Sequence, residues 1–132
     1  LAGKKTPVRY DAVPDCFWAS PELASVGMTS ETAAKQGIDT ASFTFHYRSL
    51  GIAHALGEID GFVKTVIEKG SETVLGVHIY GHGAPELIAE ASVIVTQKLT
   101  VAAIEETIHA HPTFGEIVKE SILGAAGRNI HR

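Results

Sequence analysis

Three segments between residues 41 and 80 alternate in side-chain character with a period of two, and nothing after residue 85 does. That switch constrains the fold more than any other feature. Ala41–Tyr47 alternates polar and aromatic residues, Gly61–Glu68 alternates in the same way, and Val74–Tyr80 follows. Side chains on a strand point to opposite faces in turn, so such runs suit half-buried strands. Lys69-Gly70-Ser71-Glu72 joins the last two and is short enough for a hairpin. The connected order predicts an antiparallel sheet.

From residue 85 the period becomes helical. Pro85 suits a first turn, where a missing N–H does no harm. Leu87, Ile88, Ala91, Val95 and Leu99 mark one face. A second, shorter helix is expected over Val101–Ile108. A third is expected over Phe114–Ala126, with Ile117, Val118, Ser121, Ile122 and Ala125 inward. Strands first and helices later predict an α+β fold, a sheet of three to five strands packed against helices.

The first half is less regular. Residues 1–12 read as an arm or linker. Val13–Val26 contains Pro14 and Pro21 and reads as extended and turn-rich, and Ser25–Met28 as a short strand end. Thr29-Ser30-Glu31-Thr32 supplies a cap and an acidic first turn for a short helix, which Gly37 stops.

The chain has 132 residues, which fits one domain. Its net charge is −4 and charges of both signs are interspersed, so nothing points to nucleic acid. No apolar run approaches the roughly 18 residues that span a bilayer. The N-terminus lacks the apolar stretch of a signal peptide. It also lacks Met, which predicts a processed chain or a piece of a longer one. A single cysteine, Cys16, excludes a disulfide framework and a Cys-x-x-Cys pair, and makes a reducing, cytoplasmic setting the default. Cys16 reads as a small buried hydrophobe, and Phe17 and Trp18 as core or interface anchors. Gly81-His82-Gly83 follows a strand and precedes a helix, but lacks the third glycine of a dinucleotide loop.

Chemistry concentrates in His109-Ala110-His111-Pro112-Thr113-Phe114-Gly115-Glu116. A carboxylate accepting from one imidazole nitrogen fixes the tautomer and raises the basicity of the other. A thiol, whose reference pKa is near 8.5, needs such a base to become a nucleophile at neutral pH. The same residues also read as a Thr-x-x-Glu capping box, with Glu116 reaching back to the Thr113 N–H. Spacing alone leaves the two readings open. His109 and His111 would point to opposite sides of an extended segment, which disfavours a two-histidine metal site and leaves His109 to interface packing. His78 reads as a hydrogen-bonded sheet residue, and His46, His54, His82 and His131 as surface or loop residues. Phe114 reads equally as channel wall and as core.

His109-Ala110-His111-Pro112-Thr113-x-x-Glu116 resembles the C-terminal signature of the pyridine nucleotide-disulfide oxidoreductases, nearest the dihydrolipoamide dehydrogenases and more distantly glutathione reductase. Further motifs match in order: Pro21-Glu22 with Val26-Gly27, Gly61-Phe62-Val63-Lys64, Leu75-Gly76-Val77-His78 with Glu86-Leu87-Ile88, and the tail Gly127–His131. The likeness covers residues 8–131, nearly the whole chain. It implies a single dimerisation domain over residues 1–132, with the FAD and NAD domains elsewhere. It implies a homodimer in which His111 is the acid–base residue of the partner's active site and Glu116 orients it. The backbone at His111–Pro112, with a cis peptide, would lie near the partner's flavin. The full enzyme would oxidise dihydrolipoyl groups with FAD and NAD, on the lipoyl domain of a 2-oxoacid dehydrogenase or glycine cleavage complex. The isolated chain would hold no cofactor tightly and be inactive, because it lacks Gly-x-Gly-x-x-Gly and Cys-x4-Cys segments. A domain kept for dimerisation alone is the alternative, as is a glutathione-reductase-like parent. A mercuric reductase is disfavoured by the absence of a terminal Cys-Cys pair.

Overall fold

The computed structural model describes residues 3 and 7–131. Part of the segment read as an arm, residues 1, 2 and 4–6, lies outside them; Tyr10–Ala12 form a single 3-10 turn. Five strands follow in chain order: β1 (Asp15–Phe17), β2 (Leu23–Gly27), β3 (Thr40–His46), β4 (Gly61–Glu68) and β5 (Val74–Gly81). They form one sheet in the order β1-β2-β5-β4-β3, and every neighbouring pair is antiparallel. The helices are α1 (Ser30–Lys35), α2 (Gly51–Leu56), α3 (Ala84–Thr96), α4 (Val101–Glu106) and α5 (Gly115–Ala125). The fold is α+β, as expected, with the sheet at the upper end of the expected strand number.

The two faces of the sheet differ because the pleat sorts alternate residues. Ala24 and Val26 of β2, Val63 and Ile67 of β4, and Val77 and Ile79 of β5 are buried with Ile88, Ala91 and Ile94 of α3 and Ile117, Val118 and Ile122 of α5. Helix α3 packs on β2 and β5, and α5 on β3 and β4. Gly124 allows α5 to approach β3 closely: a Cβ there would sit 2.1 Å from Phe43 Cδ1. A polar bridge inside this layer joins sheet to helix, Thr65 Oγ1 lying 2.7 Å from Ser121 Oγ. Among the described residues, no helix is long and apolar enough to cross a membrane.

Several local readings shift. β1 falls in the segment read only as extended, and α2 in a segment left unread. Thr29 caps α1 by accepting from the Thr32 N–H, and Gly37, with φ of 72°, follows its C-cap. The helix expected to reach Ile108 stops at Glu106, because Thr107 is extended and its hydroxyl donates back to Ala103 O; Ile108 is left 94% exposed. Cys16 is half-buried rather than buried. Phe17 and Trp18 are not core: they are 59% and 77% exposed.

Candidate functional site

The loop between α4 and α5 carries the site. The Lys119 ammonium of α5 donates to Glu105 O and Thr107 O and closes the loop's start. Thr113 Oγ1 donates to Ala110 O at 2.7 Å and folds its end into the first turn of α5. The His111–Pro112 peptide is cis, as the family likeness implies; so is Ser20–Pro21.

His111 and Glu116 meet. His111 Nδ1 lies 2.8 Å from Glu116 Oε1. The ionised carboxylate only accepts, so the hydrogen belongs to Nδ1. Nε2 then carries the lone pair. The imidazole is 76% exposed, whereas the Glu116 side chain is 17% exposed. The pair therefore has a fixed base and an accessible tip.

Glu116 also serves the second reading. Its other oxygen, Oε2, accepts the Thr113 N–H at 2.9 Å. The two readings left open by the spacing are both fulfilled, one on each carboxylate oxygen. The capping box is only half formed, since Thr113 Oγ1 turns to Ala110 O. Burial alone would push the Glu116 carboxyl up, but the Thr113 amide and the His111 ring outweigh it and hold it below its ordinary value. Its place in the first turn of α5 adds the favourable end of the helix dipole. A carboxylate ionised at neutral pH is what an imidazolium partner needs.

His109 does not join this pair. Its ring turns to α3, where Nε2 lies 2.7 Å from Glu90 Oε1, and its side chain is 9% exposed. Glu90 carried no signal in the sequence, because its partner is 19 residues away. Phe114 packs against the core, with ring centroids 5.7 Å from Tyr47 and 5.1 Å from His82, in line with the packing reading. His78 is the sheet residue expected, with Nδ1 2.6 Å from Ser25 Oγ and Nε2 3.2 Å from Met28 O; burial lowers its pKa. His46, His54, His82 and His131 are exposed. Among the described residues no three His, Cys, Asp or Glu side chains are grouped to hold a metal ion.

The glycine-flanked turn before α3 does not offer a phosphate cradle. The Gly83 N–H, at the head of that helix, donates to Glu22 Oε2 at 2.8 Å. A carboxylate occupies the place an anion would take.

Comparison with known proteins agrees with this architecture. The family described as pyridine nucleotide-disulphide oxidoreductase, dimerisation domain, matches residues 13–122. The chain is 40% identical over 131 residues to the dihydrolipoyl dehydrogenase of Chlamydia muridarum, covering 99% of this chain and 28% of that protein. It is 42% identical over 125 residues to that of Zymomonas mobilis, covering 95% and 27%. The Geobacillus stearothermophilus enzyme of the same name is 39% identical over 131 residues, covering 99% and 28%. The chain thus spans little more than a quarter of the length of these relatives. Among solved structures, LpdA from Mycobacterium tuberculosis superposes with a TM-score of 0.83 at 23% identity, covering 89% of this chain and 26% of that one. The flavoprotein disulfide reductase RclA from Escherichia coli gives 0.79 at 21%, covering 89% and 28%. With a matching five-stranded fold and a family match over most of its length, this chain belongs to the dimerisation-domain family of the pyridine nucleotide-disulphide oxidoreductases.

Proposed function

We propose that residues 1–132 form one interface unit of a flavin-dependent dihydrolipoyl dehydrogenase, and that it delivers the His111–Glu116 acid–base pair to the active site of a partner subunit. The observation that carries this reading is the 2.8 Å contact from His111 Nδ1 to a mostly buried carboxylate, with the rest of the ring exposed. A domain kept only for dimerisation has no use for that arrangement.

The chemistry follows from the atoms. One thiol of a dihydrolipoyl group approaches the redox disulfide of the partner. His111 Nε2 takes the thiol proton, and the imidazolium is stabilised by Glu116 through Nδ1. The thiolate attacks one sulfur, a sulfur–sulfur bond forms, and the old disulfide opens to a thiolate. The second substrate thiol passes its proton to that thiolate and attacks the lipoyl sulfur of the mixed disulfide. The lipoyl disulfide closes, the partner's other sulfur leaves as a thiolate, and the pair is left reduced with one proton on it and one on His111. FAD and NAD, when bound, accept that electron pair. This chain would hold neither cofactor tightly: the glycine-flanked turn before α3 is filled by Glu22. His111 and Pro112 are both exposed, which fits a contact with the partner's flavin and no more.

The parent would be a cytoplasmic homodimer acting on the lipoyl domain of a 2-oxoacid dehydrogenase or glycine cleavage complex. An obligate interface of this kind buries on the order of 2,000 Å² or more. General-base assistance contributes about 10²–10⁴ in rate, roughly 3–5 kcal/mol. His111→Ala in the intact enzyme should lower turnover of dihydrolipoamide by about that factor, with dimer and bound flavin retained. Near-normal turnover would reject the base assignment.

A further inference from the structure

His109 lies two residues before His111 and has a carboxylate of its own. Most hydrogen bonds of the loop are local to α4, the loop and α5: Thr107 Oγ1 to Ala103 O, Lys119 to Glu105 O and Thr107 O, Thr113 Oγ1 to Ala110 O. Among the described residues, the one hydrogen bond from this loop to α3 is His109 Nε2 with Glu90 Oε1 at 2.7 Å. The ring also backs onto the head of α5. A Cβ added at Gly115 would lie 3.9 Å from His109 Cδ2, and Gly115 precedes Glu116. His109 is therefore a wedge between the middle of α3 and the first turn of α5. Its side chain is 9% exposed, and its Nδ1 faces Thr107 O at 3.4 Å. Both ring nitrogens face acceptors, and neither is offered to a substrate.

We propose that His109–Glu90 is a positioning pair: it ties the His111 loop to α3 and so holds the His111 ring in register with Glu116. This rests on the acid–base reading of His111 for its consequence in turnover, but not for its geometry. The pair sets where Thr113 and His111 stand relative to one carboxylate. Loss of the tie lets the loop separate from α3 while α5 stays packed on the sheet.

The test uses the full-length protein that carries this chain. His109→Phe keeps a ring in the wedge and removes the hydrogen bond; Glu90→Ala removes the acceptor; Glu90→Gln keeps one. Two readouts are taken: hydrogen exchange of the Thr113 amide, and kcat and KM with dihydrolipoamide. His109→Phe and Glu90→Ala should each speed Thr113 exchange about tenfold, the size of one charge-assisted hydrogen bond. The amides of β4 and β5 should keep their protection. The double variant should be no worse than either single one, because both remove the same bond. Turnover should fall with KM little changed, and Glu90→Gln should restore most of both. Unchanged Thr113 exchange, additive effects, or a Glu90→Gln variant as damaged as Glu90→Ala would each overturn the proposal. Glu90 is 37% exposed, so its variants leave no core cavity and decide the matter even if His109→Phe does not fold. A His111→Ala enzyme that kept its turnover would remove the acid–base reading, and Thr113 exchange would still judge the positioning role.

Discussion

Two histidine–carboxylate pairs stand side by side, and they are built for opposite ends. In His109–Glu90 the histidine is the buried member, 9% exposed against 37% for its carboxylate. In His111–Glu116 the order is reversed: the histidine is 76% exposed and the carboxylate 17%. The contact distances are nearly the same, 2.7 and 2.8 Å. Chemistry alone does not separate them. Access does: a ring with one nitrogen held and the other open can move a proton, whereas a ring with both nitrogens facing protein can only hold its place.

The strongest way to test that contrast within the loop is to change Glu116, since both its oxygens are in use. Gln offers one acceptor and one donor in place of two acceptors. If its oxygen keeps the Thr113 N–H, its amide faces His111 Nδ1 and favours the wrong tautomer. Glu116→Gln should therefore cost about 10–100-fold in turnover, less than His111→Ala, because an exposed ring can still be partly oriented by water. Steady-state rates with dihydrolipoamide check it. A silent variant would leave Glu116 as a cap alone.

Acid should act on the same carboxylate. Its pKa is lowered in the folded chain, so its contribution is present above the ordinary value of 4.5 and is lost as the pH falls through the lower folded value. Protection of the Thr113 amide should therefore hold on acidification from neutral pH into the ordinary carboxyl range and fail only below it. Failure well above that range would reject Glu116 as the group that holds the Thr113 amide.

A still smaller effect is expected at Gly115, which lies between the two pairs. An added Cβ meets Thr113 Oγ1 at 3.5 Å and His109 Cδ2 at 3.9 Å, both ordinary contacts. Gly115→Ala should leave turnover unchanged and shift stability by no more than about 1 kcal/mol, in the favourable direction. A marked loss of thermal stability would mean that the wedge is tighter than these distances allow.

The two pairs also mark how far sequence reading reaches. β4 matches its expected span residue for residue, and β5 within one, because each alternates and a short hairpin joins them. β1 has three residues beside prolines, too few for a period to appear. α2 is six residues, begins at Gly51 and is capped by Gly57, with Ala53 its one buried residue, so it shows no apolar face. The His111–Glu116 contact was visible because its members are only five positions apart. The choice between base partner and cap was not, since spacing does not reveal that a carboxylate divides its oxygens between the two. Glu90 was invisible, because only tertiary packing brings α3 to His109. Ile108 was read as the end of a helix, yet it lies exposed beyond a threonine that ends the turn.

The proposed delivery of His111 across a subunit boundary has a direct measurement. Two inactive forms of the intact enzyme are prepared, one with His111→Ala and one lacking its redox cysteines. They are then unfolded and reassembled together. In a two-fold dimer that borrows its base from the partner, each hybrid holds one complete site, made of cysteines from one chain and His111 from the other. Random reassembly should then restore about one quarter of wild-type turnover. Hybrids that form but stay inactive would contradict a base supplied in trans.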